Sequence, residues 1–322
     1  LSKGESGGSE LYGTEPWYFY LLNGTLNLTL AMPAALALLP ALGALATLEA
    51  LQRRGAKASA QFSSRLGLSA LGYSLPGFMW LAFFSCIPHK EERFLAPAYP
   101  PLALAAAAAV SCAGAFVAGI FGTEIPARLA QLTFNLAAVV ISASRILTLI
   151  HAYGAPLLIY GALSSELQKV RSLGTQREVN VCLGGEWHRF ASSFFLPDSK
   201  DHIRYVRHGP VGLLPAEWLP DRGTAGIPPN QNDRNEEEPS RYHDPLACDY
   251  FVDLEFQGEA GEGDVKAMRL DTSPWVWDVV SEAKFLDAAR SPQPWRSFYI
   301  PHVFEAKNTF GQYRLLRRRW PA

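Results

Sequence analysis

LGLSALGYSLPGFMWLAFFSCIPHKEERFLAPAYPPLALAAAAAVSCAGAFVAGIF, residues 66–121, is two uncharged apolar stretches joined by one charged hexapeptide, HKEERF at 89–94. A hydrocarbon core about 30 Å thick takes roughly 20 apolar helical residues to cross. Residues 66–87 and 99–121 each meet that length. The same reading outward finds residues 30–48 before them and 129–150 after them, so about four spans are expected. The third is mostly alanine, which drives insertion weakly. Pro33, Pro40, Pro76, Pro100 and Pro101 must be taken up as kinks or helix ends.

Whole-chain numbers hide this pattern: 322 residues, net charge -1, 48% hydrophobic and 18% charged would suit two globular domains. Charge is split unevenly. Residues 1–151 carry 9 Lys+Arg and 7 Asp+Glu, and residues 152–322 carry 20 and 23. The fold class expected is therefore a polytopic α-helical membrane region, 1–151, followed by a polar α+β domain, 152–322.

Short loops rich in Lys and Arg stay cytoplasmic. Arg53, Arg54, Lys57 and Arg65 lie between the first two spans. Alternation then places the aromatic segment 12–20, the HKEERF loop and the C-terminal domain on the other side, the lumen in a eukaryotic secretory membrane. Cys182 and Cys248 fall in the polar domain, where an oxidising lumen lets them pair; two buried free thiols fit the sequence equally. Sequons at Asn23 and Asn27 lie against the membrane, so little glycan is expected on them. The chain begins with Leu1 and a Gly/Ser-rich stretch, without the pattern of a signal peptide. It is expected to be the C-terminal portion of a longer protein.

In the polar half, residues 179–183, 250–256 and 298–303 read as strands and 279–289 as a helix. Residues 209–243, rich in Pro, Gly, Asn and Asp, read as a long loop. No Walker-type loop, dinucleotide fingerprint or Cys/His metal spacing occurs, and the near-neutral charge argues against nucleic acid.

Three segments can carry chemistry. In HKEERF, Lys90 and Arg93 suit a lipid-headgroup phosphate, Arg through its bidentate fork, and a carboxylate beside them can orient a sugar hydroxyl or take a proton. The same residues suit a solvated turn with snorkelling basic side chains. In YGTEPWYFY, 12–20, an interfacial aromatic belt accounts for Trp17, Tyr18 and Tyr20. Glu15, a carboxylate among aromatics, suits acid–base or sugar-binding work through a raised pKa. In NVCLGGEWHRFASSFFLPD, 180–198, a strand and a Gly-Gly turn lead into residues that either stack on a sugar or form domain core. Arg145, inside the fourth span, is costly there unless paired or snorkelling over about 8 Å.

YGTEPWYFY, HKEERF, NVCLGGEWHRF and NDRNEEEPSRY (232–242), in this order, resemble the endoplasmic-reticulum dolichyl-phosphate-mannose-dependent α-1,2-mannosyltransferases of asparagine-linked glycosylation, which are of GT-C type. HKE-x-RF and YG-x-x-PW are shared with the GPI-anchor mannosyltransferases; EEPSRY points to the N-glycan branch. Tyr12, Gly13, Pro16 and Trp17 match the aromatic motif, where Glu15 replaces a His of some relatives. The resemblance implies a multi-pass protein of the endoplasmic-reticulum membrane that transfers mannose from dolichyl-phosphate-mannose to a dolichyl-diphosphate oligosaccharide, as the seventh and ninth mannoses, with inversion. It implies donor-phosphate contacts at His89, Lys90, Glu91 and Arg93 and sugar or acceptor contacts at Tyr12 and Trp17; Trp187 and Arg189 are the sugar or acceptor candidates of the polar domain, and no metal or other cofactor is expected. It also implies a catalytic base in a first lumenal loop outside this chain, with Glu15 the candidate inside it, so that the chain alone is expected to be inactive.

Overall fold

The computed structural model describes residues 13–52, 64–189, 193–209, 212–216, 219, 222–259, 261, 263–269 and 276–319. Contacts divide the chain into two units, Leu1–Ile146 and Leu147–Ala322.

The first unit is helical: α1 (Phe19–Leu28), α2 (Ala31–Leu36), α3 (Leu38–Gln52), α4 (Ser64–Cys86), a 3-10 segment Glu92–Ala98, α5 (Tyr99–Phe121) and α6 (Glu124–Tyr153), whose end passes into the second unit. Among the described residues three helices are long and apolar enough to cross a membrane: Ser64–Cys86, Glu92–Phe121 and Glu124–Tyr153. Residues 30–48, expected as one span, instead form two short helices that meet at Ala37. Pro40 has no N–H to continue the hydrogen-bond ladder from Leu36, so the first helix closes there and Pro40 sits in the first turn of the next. At 15 residues, α3 is only about 22 Å long.

The alanine-rich helix is the centre of this unit. Its Ala105, Ala106, Ala108, Ala109 and Cys112 are buried in a core with Met32, Leu38, Leu45 and Leu81. Small side chains let helices approach closely, which is how membrane helices gain packing contacts. The approach is tight enough that a Cβ on Gly77 would lie 2.7 Å from Pro101 Cβ. Gly122, at φ 67°, ends α5 in the left-handed conformation that glycine adopts without penalty. By contrast α6 leaves Leu129, Leu132, Leu136, Val139 and Val140 exposed, as a lipid-facing helix does. Arg145 is half-buried on it.

The second unit packs helix α7 (Ala155–Ser172) on a five-stranded sheet of β1 (Val179–Leu183), β2 (Asp201–Tyr205), β3 (Tyr250–Glu255), β4 (Val276–Leu286) and β5 (Phe310–Arg319), in the order β2-β1-β3-β5-β4. β1 runs parallel to β2 and β3; β5 is antiparallel to β3 and β4. Ile159, Tyr160, Leu163 and Leu167, one face of α7, are buried against Val181, Leu183, Val252, Tyr313 and Leu315. Two short helices complete the unit, α8 (Gly263–Arg269) and α9 (Val303–Lys307).

The strands expected at 179–183 and near 250–256 are present. Residues 279–289, expected as a helix, contribute to β4, because pairing with β5 along its length overrides the helix preference of Glu282, Ala283 and Lys284. Residues 298–303, expected as a strand, form turns leading into α9. Pro301 cannot donate to a ladder. Residues 209–243, where described, are loop with short 3-10 turns. Cys182 in β1 and Cys248, just before β3, form a disulfide with Cα atoms 5.7 Å apart.

Candidate functional site

The HKEERF segment follows the last turn of α4 and folds back against the loop before α1. Glu15 N–H donates to Pro88 O at 3.0 Å. Lys90 is buried, 6% exposed, and its Nζ donates to Glu15 O at 2.8 Å and Ile87 O at 2.5 Å. A buried ammonium needs such partners, and here they tie the two loops together. Lys90 is thus a clamp in this structure, with its head group turned inward.

Glu91 organises the outward side. Arg93 Nη2 donates to its Oε1 at 2.8 Å and Arg93 Nε lies 2.5 Å from its Oε2, a bidentate fork. His89 places Nε2 3.2 Å from the same Oε1 and Nδ1 3.0 Å from Gly13 O. The Gly13 carbonyl, with Glu91 second, raises the His89 pKa. Burial pushes the Glu91 carboxyl up, but hydrogen bonds from His89 and Arg93 outweigh it and hold the carboxyl below its usual range. Arg93 remains 76% exposed in its side chain, lying 5.8 Å from the Phe94 ring. Phe94 is itself fixed by Trp80 Nε1, which donates to its carbonyl at 2.6 Å, and by packing on Phe84. The result is a guanidinium held in orientation with its outer face open, an arrangement that suits a phosphate oxygen.

Of the aromatic segment, Tyr12 lies outside the described residues. Trp17 is 67% exposed and meets Tyr18 edge to face. Glu15 has an exposed side chain, not one enclosed among aromatics. Asn27 donates to Glu92 Oε1 at 2.6 Å and to Tyr99 OH at 2.7 Å, so this sequon side chain is engaged in bracing the segment.

In the second unit, Trp187 and Arg189 follow β1 in a 3-10 turn, Gly185–His188. Both are half-buried, Phe195 packs on Tyr160, and Phe194 is almost fully exposed; Phe190 lies outside the described residues. The residue missed in the sequence is Glu186, 2% exposed, whose Oε1 accepts from Arg189 Nη1 at 2.5 Å. Burial raises its pKa, partly offset by Arg189. A lone Glu between a Gly-Gly turn and a Trp is the signal it leaves.

The family model described as the Alg9-like mannosyltransferase family matches residues 4–197, which include both segments. The alpha-1,2-mannosyltransferase ALG9 of Mus musculus is 35% identical over 327 residues, 98% of this chain and 51% of the relative. That of Homo sapiens is 34% identical over 97% of this chain and 50% of its own length, and that of Saccharomyces cerevisiae 31% over 94% and 49%. The chain therefore spans about half the length of these curated relatives. No solved structure matches.

Proposed function

The chain belongs to the Alg9-like mannosyltransferase family, and from that premise we propose that it takes part in transferring mannose, in α-1,2 linkage, from dolichyl-phosphate-mannose to the dolichyl-diphosphate oligosaccharide of N-glycan assembly. The observation that carries the reading is the open Arg93 guanidinium held by Glu91, to which His89 also bonds, beside the membrane helix α4. In the reaction the acceptor hydroxyl oxygen bonds to C1 of the mannose, the C1–O bond to phosphate breaks, and negative charge grows on the departing dolichyl phosphate. Arg93 is placed to take up that charge. Glu91 and His89 orient it, and Lys90 keeps the loop in place. A β-linked donor gives an α-linked product, so one direct displacement with inversion accounts for the outcome. The hydroxyl proton passes to a carboxylate; within this chain the candidate is Glu15, exposed in the loop that Lys90 anchors.

The same reading makes the protein a multi-pass component of the endoplasmic-reticulum membrane, of GT-C type, with its C-terminal domain in the lumen. The tandem α2 and α3 then serves as a fourth membrane segment, the C-terminal domain contacts the acceptor glycan through Trp187 and Arg189, and Trp17 is a further sugar or acceptor contact. Inactivating the gene tests the function: lipid-linked oligosaccharides should stop one residue short of the seventh mannose, and the intact gene should clear them. Accumulation of glycosylphosphatidylinositol precursors instead would assign the protein to the other branch of the family.

A further inference from the structure

The sheet order places β1 between two parallel partners, β2 and β3. The chain leaves β1 towards β2 on one side and returns in β3 on the other. Where connections part in this way, the carboxyl ends of parallel strands open a crevice that ligands use. A cavity of about 370 Å³ lies there, lined by Glu186, Trp187 and Arg189 after β1, His208 after β2, and Asp253 and Arg269 from β3 onward. That volume is in the range of small-molecule sites. Glycines bring the walls together: a Cβ on Gly184 would run into Val265, and one on Gly185 would approach His208 Cδ2 to 2.8 Å.

The lining is charged, with three carboxylates, Glu186, Asp253 and Glu259, against the guanidinium groups of Arg189 and Arg269. Arg189 pairs with Glu186 at 2.5 Å and Arg269 with Asp253 at 2.5 Å. Such a surface has no net pull on an anion, and among the described residues no group of three His, Cys, Asp or Glu is placed to hold a metal ion. What it offers is paired donors and acceptors beside the indole of Trp187. The Tyr313 hydroxyl interacts with the Glu186 carboxylate, and of the buried polar atoms in the lining His208 Nδ1 takes no hydrogen bond. Buried polar groups are rarely left so.

We propose that this cavity binds one neutral hexose of the acceptor glycan, with Trp187 against the apolar face of the ring and Glu186 and His208 hydrogen-bonded to its hydroxyls. The identity of the ligand as a hexose rests on the mannosyl-transfer reading; the cavity as a ligand site rests on the sheet and its lining.

The test titrates methyl α-1,2-mannobioside against the intact protein in detergent, followed by saturation-transfer NMR, with mannose 1-phosphate as competitor. Saturable binding is expected, weakened about 10-fold or more by Trp187→Ala and by Glu186→Gln and largely kept by Trp187→Phe, while the KM for dolichyl-phosphate-mannose is unchanged. A denaturing thiol count checks that each variant still closes its disulfide. Absence of mannobioside binding, or equal binding by disulfide-intact Trp187→Ala, overturns the proposal. Displacement by mannose 1-phosphate at concentrations below those of the mannobioside also overturns it, moving the site to the donor. If the intact protein transfers no mannose yet binds the mannobioside through Trp187, the transfer reading falls and this site stands.

Discussion

Glu91 grips Arg93 through both carboxylate oxygens, at 2.8 Å and 2.5 Å, while its Oε1 also meets His89. Three residues of one hexapeptide thereby take different parts: Lys90 points in, Glu91 organises, Arg93 faces out.

The pH response follows from the two shifts. His89 has a raised pKa, so its contribution is full below 6.5, its ordinary value, and is lost as pH rises through the raised value. Glu91 has a lowered pKa, so its contribution is present above 4.5 and is lost as pH falls through the lowered value. The loop is held best between the two. An imidazole NMR titration should find His89 above 6.5, moving down in Glu91→Gln; titration at or below that value in the wild type contradicts the network.

Lys90→Met should loosen the junction of the two loops. It leaves the carbonyls of Glu15 and Ile87 without their donor, at about 1–3 kcal/mol for each group that stays buried. Hydrogen exchange at the Glu15 amide, which donates to Pro88, should quicken at least about 10-fold. Unchanged protection would show that Lys90 does not hold the segment.

Gly77→Leu should disrupt the helical unit, because even a Cβ there would sit 2.7 Å from Pro101. Overpacking of this kind costs about 1–3 kcal/mol. The readout is the thermal stability of the detergent-solubilised protein, compared with Leu132→Ala on the exposed face of α6, which should be nearly neutral.

Cys182 and Cys248 are 66 residues apart and disulfide-bonded, leaving Cys86 and Cys112 free among the four cysteines. Denaturation without reductant should expose two thiols, not four. Cys182→Ser with Cys248→Ser should cost about 2–4 kcal/mol, since closing a loop of that length restrains the unfolded chain.

Much of this architecture is legible in the sequence because membrane helices announce themselves by length and lack of charge. Three of the four stretches appear as long helices. The remaining one, residues 30–48, breaks at Ala37 because Pro40 acts inside a stretch whose mean hydropathy cannot register it. Alanine in α5 reads as weak hydrophobicity, whereas its worth is in close packing, which depends on neighbours. In the second unit β1 and β3 are apolar runs and stand out. β5 does not: Arg314, Arg317, Arg318 and Arg319 mask an alternation that buries Tyr313 and Leu315, and Arg314, Arg317 and Arg319 pair with Glu255, Glu166 and Asp278. The register of β4 on β5 is a long-range fact that local helix preference contradicts. Likewise the motif HKEERF marks where to look, but the inward turn of Lys90 depends on carbonyls from Glu15, 75 residues away.

The most direct measurement is the kinetics of Arg93→Ala in the intact enzyme, with donor and acceptor varied separately. Loss of a positioned charge on the leaving phosphate should lower kcat/KM for dolichyl-phosphate-mannose about 100-fold or more, with the acceptor KM unchanged and Arg93→Lys restoring only part, because an ammonium lacks the fork that Glu91 holds. Donor affinity and turnover equal to wild type in Arg93→Ala would contradict the account.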